Sequence, residues 1–270
     1  DDHGMQMELL RKHLQGKVDV YVLNKTMDND LGGTLPYTDF TNGFHTAVSV
    51  GINAIDTHMA GAWTNNCPYL IGLFGRETNW VGSAVSYYGN ADRFIYGELP
   101  NEHPGHSIEK IHDLILQSQE TNEKKYGRRL AMIVFAEGTG ISGIEHVLKD
   151  LIDNHGHHKL NPESLVIELK KELEKRFKMK TQTLGITYEM RNSDPTGIDI
   201  HYAEMSAEII ANEIKKGNSG IENTFSIKDN RIECSTAPIA LVSQKRFVSY
   251  YKPDLIDYDN FSVNDKIGNY

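Results

Sequence analysis

LAMIVFAEG, residues 130–138, is a run of seven apolar residues closed by Glu137 and Gly138. An apolar run of this length that ends at a turn signal is typical of a strand buried on both faces, as strands in parallel sheets are. Similar short runs alternate along the chain with stretches of helical periodicity, and this alternation is the signature of parallel α/β architecture. We therefore predict an α/β fold with mainly parallel sheets.

The same two periodicities predict the other elements of the fold. Strands are predicted at 18–24 (VDVYVLN, expected to be buried), 69–75, 93–100 and 181–186, and a hairpin at 225–235 that turns at Asp229-Asn230. Helices are predicted at 42–60, 81–89, 107–119, 143–153, 163–177 and 197–217. The polar and aromatic segment after Pro253 is expected to follow the surface.

Composition narrows the class of protein. A hydrophobic content of 39% and a charged content of 24% are those of an ordinary globular protein, and no apolar run reaches membrane-spanning length. The net charge of −9 argues against a nucleic-acid binder, whose affinity comes from Lys and Arg. Cys67 and Cys234 are far apart, so we expect free thiols and a cytoplasmic protein. HGHH (155–158) lies in a polar stretch without other ligands nearby, which favours solvated histidines over a metal site.

Polar, charged or glycine residues gather where four of the predicted strands end. These segments are KTMDND (25–30), GRE (75–77), AEG (136–138) and YEMR (188–191). In open parallel sheets, ligands bind at the edge formed by the carboxyl ends of the strands. The four segments therefore predict a single binding cleft.

The segment KTMDND offers the chemistry of phosphoryl transfer. Asp28 and Asp30 are spaced so that, in an extended segment, both carboxylates point the same way. One could accept a proton from a sugar hydroxyl while the other helps to hold a metal–phosphate complex. Lys25 and Thr26 could contact phosphate oxygens. The competing interpretation is an exposed Asx turn with no catalytic role.

The other three segments supply groups that suit a phosphorylated sugar. Gly75 and Arg76 follow a strand and suit an anion site, since glycine lets the backbone approach and arginine offers a forked donor. Glu137 is placed to accept hydrogen bonds from sugar hydroxyls. Tyr188 and Arg191 could place a phenolic hydroxyl and a guanidinium on one phosphate, although by themselves they are a weak signal.

Taken in order, these segments resemble the 6-phosphofructokinase family. KTMDND, TDFTNGFHTAV, GLFGRETNWVGSAVSYYGNADRFIYGELP, IVFAEG and YEMRNSDPTGID occur with that family's order and spacing, and FSIKDNRIECSTAPI resembles its C-terminal hairpin. The resemblance covers residues 1 to about 245. It implies two Rossmann-like lobes, with a donor-binding lobe at 1–41 and 189–245, a fructose 6-phosphate lobe at 42–188 and a C-terminal tail at 246–270. The chain opens without the family's glycine-rich loop, so we expect the N-terminal part of the first lobe to be absent.

The resemblance also implies a role for each motif residue. It implies transfer of a phosphoryl group to the 1-hydroxyl of fructose 6-phosphate, a step of glycolysis, with Mg²⁺ as cofactor. The catalytic group comprises Asp28 as the base, Thr26 and Lys25, and Asp30 is the carboxylate near the metal. The implied substrate-binding residues are Phe74, Gly75, Arg76, Glu137, Tyr188 and Arg191.

The phosphoryl donor is predicted from the first two residues. Members of the family that it resembles carry the segment G-G-D-D when they use pyrophosphate and G-G-D-G when they use ATP. This chain opens on Asp1-Asp2, at about the matching distance before Lys25. The resemblance therefore favours pyrophosphate over ATP, with Asp2 and Lys25 at the donor and Asp1 at the metal. An ATP-dependent enzyme is the alternative.

One departure from the family keeps a non-catalytic function open. Two arginines that many members lend across a subunit interface are missing, and by alignment their places fall near Cys67 and Gln182. Neither side chain can neutralise a phosphate dianion. The chain is therefore expected to act as a homo- or hetero-oligomer, either as an enzyme or as a regulatory sugar-phosphate-binding subunit. A related kinase that acts on NAD or a lipid is the weaker alternative, because Glu137 and Arg191 fit a fructose phosphate.

Overall fold

The computed structural model describes residues 2–15, 17–33, 37–76, 78–98, 105–144, 160–229 and 231–265. Its helices are α1 (Asp2–His13), α2 (Phe44–Asn65), α3 (Trp80–Tyr88), α4 (Ile108–Tyr126), α5 (Pro162–Phe177), α6 (Tyr188–Asn192), α7 (Gly197–Lys216), α8 (Ile239–Val242) and α9 (Val248–Tyr251). Its strands are β1 (Tyr21–Val22), β2 (Pro68–Leu73), β3 (Arg93–Ile95), β4 (His106–Ser107), β5 (Ala131–Phe135), β6 (Ile141–Ser142), β7 (Gln182–Ile186), β8 (Ile221–Lys228), β9 (Arg231–Pro238), β10 (Ile256–Asp257) and β11 (Ser262–Val263).

A four-stranded parallel sheet forms the centre of the core. Its strand order is β3-β5-β2-β7, and β5 pairs with β2 from Pro68↔Ala131 to Gly72↔Phe135. Every residue of β2 and β5 is buried. This burial on both faces is what the uninterrupted apolar run at 130–138 predicts, because a strand with one wet face would alternate. The α/β fold with mainly parallel sheets is confirmed.

Helix α5 lies directly against this sheet because two strands carry glycine beneath it. A Cβ placed on Gly72 would fall 2.3 Å from the carbonyl oxygen of Pro162, and one on Gly185 would fall 2.6 Å from Cβ of Glu163. Both distances are shorter than any real contact, so only glycine fits at these positions. The helix itself begins where the Asn161 side chain accepts a hydrogen bond from the Ser164 amide.

A second, three-stranded sheet has the order β1-β8-β9, in which β1 is parallel to β8 and β8 is antiparallel to β9. The predicted hairpin around Asp229 is therefore confirmed. The prediction of a buried strand at 18–24 is wrong. Only Tyr21 and Val22 pair, while Val18 and Leu23 are 45% and 54% exposed. Within the described residues this strand has a neighbour on one side only, so it is an edge strand rather than a central strand buried on both faces.

The expected surface path of the C-terminal segment holds only in part for residues 253–265, where Asp254, Asp259 and Asn260 are exposed but apolar residues are not. Leu255, Ile256 and Phe261 are buried in the main hydrophobic core, and the Phe261 carbonyl accepts a hydrogen bond from the Phe94 amide of β3. The segment enters the core where the Glu98 carboxylate accepts hydrogen bonds from two backbone amides at the start of α9. The tail is thus part of the fold that carries the site.

The remaining predicted elements are present in the structure, although β3 stops at Ile95, well short of its predicted end, and α4 continues past its predicted end to Tyr126. Helix α4 begins at the predicted Ser107 cap, whose hydroxyl accepts a hydrogen bond from the Lys110 amide, and α7 ends at Gly217 in the left-handed conformation. Cys67 and Cys234 are free thiols. The predicted helix at 143–153 falls largely outside the described residues, and HGHH at 155–158 falls wholly outside them. Among the helices that are described, none is long and apolar enough to span a membrane.

The N-termini of α2 and α7 cap each other. The buried Asp199 carboxylate, in the first turn of α7, accepts hydrogen bonds from the amides of Gly43 and Thr46 at 2.9 and 2.8 Å and from the Thr46 hydroxyl at 2.5 Å. In return, the Thr46 hydroxyl accepts from the amide of Thr196 at 3.0 Å. Because free amides at a buried helix end are costly, this exchange fixes α7 against the start of α2.

We expect Asp199→Ala to lower the free energy of unfolding by about 2 kcal/mol, because three donors lose their acceptor. Urea denaturation measures this loss. The control is Asp194→Ala, at an exposed carboxylate five residues earlier. Equal stability of the two variants would contradict the capping role.

Candidate functional site

The residues that follow four strands meet at one edge of the structure, as the sequence predicts. Asp28 follows β1, Arg76 follows β2, Glu137 follows β5 and Arg191 follows β7. The charges of Arg76, Glu137 and Arg191 all act on the carboxyl group of Asp28, as does that of Asp30. We call this group the strand-end cluster. It joins carboxylates and guanidinium groups drawn from distant parts of the chain.

The acidic loop, residues 25–30, is closed by its own threonine. The Thr26 hydroxyl accepts a hydrogen bond from the Asp28 amide at 3.2 Å and lies 3.5 Å from Oδ1 of Asp30. Asn29 has a φ of 55°, in the left-handed region that asparagine tolerates better than most residues. Asp28 and Asp30 are only 8% and 5% exposed, so the interpretation of this loop as an exposed Asx turn is wrong.

Arg246, which the sequence patterns did not reveal, holds the acidic loop from beneath. Its side chain is fully buried and donates to the carbonyl oxygens of Asn29 (2.9 Å), Thr38 and Asp39 (2.9 Å). Its own amide donates to the carbonyl oxygen of Asp30 at 2.7 Å. A lone Arg in the tail gives no periodic or motif signal, and only the position of the tail inside the fold reveals this contact.

Trp80 completes the support of Arg246. The guanidinium lies 4.5 Å from the centre of the indole ring, a cation–π contact, and the indole N–H donates to the Arg246 carbonyl at 3.1 Å. Trp80 is the first residue of α3. The acidic loop is thereby tied both to the C-terminal segment and to a helix of the central core.

Glu137 fixes the loop that carries Arg76. Its Oε2 atom accepts hydrogen bonds from the amides of Gly75 at 3.0 Å and Arg76 at 2.7 Å. Arg76 has a φ of 55°, which is unusual for a residue other than glycine and is held here by these bonds. Both bonds fall on Oε2. Among the described residues no donor bonds to Oε1, which leaves that oxygen for a ligand.

Phe74 is a platform for two of the predicted substrate-binding residues. Its ring packs edge-on against Tyr188, with the ring centres 5.6 Å apart, and the Arg191 guanidinium lies 5.0 Å from its ring centre. Phe74 is buried, whereas Tyr188 and Arg191 are exposed. A buried ring thus orients two exposed polar groups on the same side of the cluster.

Two carboxyl groups of the cluster, those of Asp28 and Glu137, are weaker acids than usual. Burial, together with the neighbouring charges of Asp30 and Glu137, raises the pKa of Asp28 to about 7, while Arg76 and Arg191 oppose the shift. Burial also raises the pKa of Glu137, against the backbone amides that lower it. A carboxyl group with a pKa near neutral pH is suited to proton transfer.

One predicted site residue, Lys25, lies outside the cluster. Lys25 is exposed, and its Cε atom runs beside Gly43. The predictions for Asp1 and for the side chain of Asp2 lie outside the described residues. The roles of all three therefore stay predictions.

The acidic loop fits a Mg²⁺ ion that is bound jointly by protein carboxylates and by the phosphates of a substrate. In the described part of the chain, no group of three or more His, Cys, Asp or Glu side chains could hold a metal. Mg²⁺ is commonly held by one or two carboxylates together with phosphate oxygens and waters. Asp30, with Asp28 beside it, supplies that smaller set.

Cys67 and Gln182 lie at the opposite edge of the sheet from the cluster. Cys67 precedes β2, and Gln182 begins β7, where it pairs with Tyr69. Groups at this edge belong to the amino ends of the strands. They do not contribute to the strand-end cluster of their own chain.

Comparison with known proteins shows what the chain resembles. The family model for phosphofructokinase matches residues 2–212. A pyrophosphate–fructose 6-phosphate 1-phosphotransferase of Thermotoga maritima is 28% identical over 75% of this chain and 50% of its own length. An ATP-dependent 6-phosphofructokinase of Chloroflexus aurantiacus is 33% identical over 50% of this chain and 34% of its own length. The chain thus spans half or less of these two relatives.

A solved structure shares the fold. The pyrophosphate-dependent phosphofructokinase from Marinobacter aquaeolei superposes with a TM-score of 0.69 at 14% identity, over 98% of this chain and 62% of the other. Identity this low establishes the fold alone. The expectation of a phosphofructokinase fold is confirmed.

The raised pKa of Asp28 makes a prediction about stability. Its folded-state pKa of about 7 exceeds the ordinary value of 3.8, so its contribution to stability is present below about pH 4 and is lost as the pH rises through 7. Asp28→Asn removes this titration. We expect the variant to gain stability relative to the wild type between pH 4 and pH 8, by on the order of 3 kcal/mol.

Urea denaturation in EDTA at several pH values measures this difference. Asp56→Asn, at an exposed carboxylate of α2, is the matched control and should show no such trend. The stability of Asp28→Asn relative to the wild type should therefore change with pH. A difference that stays constant with pH would contradict the raised pKa of Asp28.

Proposed function

Because the chain belongs to the phosphofructokinase family, we propose that it transfers a phosphoryl group to the 1-hydroxyl of fructose 6-phosphate, with pyrophosphate as the donor. The observation that carries the proposal is the strand-end cluster. A buried carboxyl group with a pKa near neutrality lies within the fields of a second carboxylate and of two arginines. This combination supplies a base for a hydroxyl and cations for phosphate, which phosphoryl transfer requires.

Each residue of the cluster has a role in the proposed binding of the sugar phosphate. Arg191 and Tyr188 bind the 6-phosphate from the Phe74 platform. Oε1 of Glu137 accepts hydrogen bonds from sugar hydroxyls, while Oε2 keeps the Arg76 loop in place. Arg76 faces the phosphoryl group in transfer. These roles use the strong affinity of guanidinium groups for phosphate oxygens.

In the proposed step, the ionised Asp28 carboxylate accepts the proton of the 1-hydroxyl. The sugar oxygen forms a bond to the terminal phosphorus of pyrophosphate, the bridging P–O bond breaks, and inorganic phosphate leaves. The Thr26 hydroxyl, which already bonds to the Asp28 amide, keeps the carboxylate turned toward the substrate and can contact the transferred group. When bound at Asp30, Mg²⁺ would neutralise charge on the phosphates.

Two features support pyrophosphate over ATP. The opening Asp1-Asp2 resembles the family's pyrophosphate-type segment, and the Thermotoga relative carries a pyrophosphate-dependent name over three quarters of this chain. Lys25 would then act at the donor. The ATP-dependent name of the Chloroflexus relative supports the alternative donor. The same proposal places the donor-binding lobe at 1–41 and 189–245 and the sugar-phosphate lobe at 42–188, in a cytoplasmic oligomer.

A regulatory subunit is the second candidate function. Cys67 and Gln182 lie at the amino edge of the sheet, away from the chain's own cluster, so arginines at these positions would serve a neighbouring subunit. Their replacement weakens what this chain gives to a neighbour and leaves its own cluster unaltered. The chain would then bind fructose 6-phosphate and pair with an active partner.

A coupled assay that supplies fructose 6-phosphate and Mg²⁺, with either pyrophosphate or ATP, tests the proposal. We expect turnover with pyrophosphate, and a loss of at least 10³-fold in kcat for Asp28→Ala, because general-base catalysis and charge alignment are both lost. The assay is run on the complete gene product as well as on this chain.

Asp56→Ala is the matched control and should retain full activity. Full activity in Asp28→Ala would refute the assignment of the base. Turnover with ATP alone would refute pyrophosphate as the donor. Absence of turnover with both donors, together with retained binding of fructose 6-phosphate, would favour the regulatory subunit.

A further inference from the structure

A second cavity, of about 420 Å³, lies next to the acidic loop and is built differently from the strand-end cluster. Its walls come from the acidic loop, α2, α3, α7 and the β8–β9 hairpin. Its volume falls within the range of small-molecule sites. Six of its lining residues carry rings, and we call them the aromatic set: Phe40, Phe44, His45, Trp80, Tyr88 and Tyr202.

The charge of this cavity excludes the ligands of the strand-end cluster. None of the described residues that line it is a lysine or an arginine, and the one ionisable carboxylic acid among them is Asp39, whose Oδ2 accepts a hydrogen bond from the Ile227 amide. An anion entering here would lose its hydration without gaining a cation. A phosphorylated compound therefore belongs at Arg76 and Arg191, and an uncharged one belongs here.

His45 gives the cavity a fixed polar group. Its ring makes edge contacts with the rings of Phe40, Phe44 and Tyr202, with centres 5.3, 5.5 and 5.4 Å apart. Its Nδ1 atom is buried, 4.0 Å from the Asp199 carboxylate, whereas the side chain as a whole is 29% exposed, so Nε2 is the ring nitrogen open to a ligand. Burial lowers the pKa of His45, so the imidazole is neutral and presents one donor and one acceptor.

We propose that this cavity binds an uncharged planar compound of one or two fused rings, which stacks within the aromatic set and exchanges a hydrogen bond with His45. Aromatic walls favour a flat ring over a saturated chain, because ring faces and edges interact beyond simple burial. The proposal stands apart from the proposed catalytic function, since none of the arginines of the strand-end cluster lines the cavity.

The position of the cavity gives its occupant a route to the acidic loop. Asn29, which separates Asp28 from Asp30, lines the cavity, and its carbonyl is held by Arg246. A ring bound in the cavity would contact both the loop itself, at Asn29, and the indole of Trp80 that supports Arg246.

Two matched probes test the proposal. 1-Naphthylamine is uncharged at neutral pH, and 8-amino-1-naphthalenesulfonate differs from it by one sulfonate. In fluorescence titrations of the folded chain, we expect saturable one-to-one binding of the uncharged probe, at least tenfold tighter than that of the anionic probe. Equal affinity for the two probes would overturn the proposal.

Variants assign the binding to this cavity. Ser49→Phe fills the cavity from α2 and should weaken binding of the uncharged probe at least tenfold, while Ser49→Ala should leave it unchanged. Ile198→Trp, at a rim residue that is 44% exposed, blocks the entrance without altering the core and keeps the test valid if Ser49→Phe does not fold. His45→Phe should weaken binding several-fold. Unchanged binding in both blocking variants would show that the probe binds elsewhere.

Discussion

The buried guanidinium of Arg246 is the interaction on which the arrangement of the site depends. A fully buried charge needs hydrogen-bond acceptors, and here the two terminal nitrogens of the guanidinium donate to backbone carbonyls of the acidic loop and of the segment that follows it. Because Arg246 belongs to the C-terminal segment, that segment must enter the core. Because its cation stacks on Trp80, the first turn of α3 is fixed in the same unit. The acidic loop is therefore held by parts of the chain more than 200 residues away.

The carboxylates near the site divide into two kinds. Asp199 and one oxygen of Glu137 are bonded to backbone amides, so they stabilise the positions of α2 and of the Arg76 loop. Asp28 and Asp30 are buried beside each other, and Asp28 has a pKa that burial raises. A folded protein gains nothing in stability from such a pair at neutral pH, which is why perturbed carboxyl groups mark candidate functional sites. The contrast supports a catalytic function for the acidic loop.

Much of the fold and part of the candidate site can be predicted from the sequence, because they depend on local patterns. The apolar run at 130–138 predicts a fully buried central strand, and the charges after four strands predict a shared edge. The prediction of a buried strand at 18–24 is wrong, because the burial of a strand depends on neighbouring elements that its own sequence does not encode. Arg246 and the cavity beside His45 had no local signal, since both arise where remote segments meet. The sequence predicts that Glu137 binds sugar hydroxyls, but its bonds to the Arg76 loop are visible only in the fold.

The central claim is that the strand-end cluster is one site for a phosphorylated sugar. The most direct test is isothermal titration calorimetry of the chain with fructose 6-phosphate, with fructose as the uncharged comparison. Arg191 is exposed, so Arg191→Met should fold normally. We predict binding of fructose 6-phosphate but not of fructose, and at least tenfold weaker binding in Arg191→Met. Absence of fructose 6-phosphate binding, or equal affinity in the variant, would contradict the account.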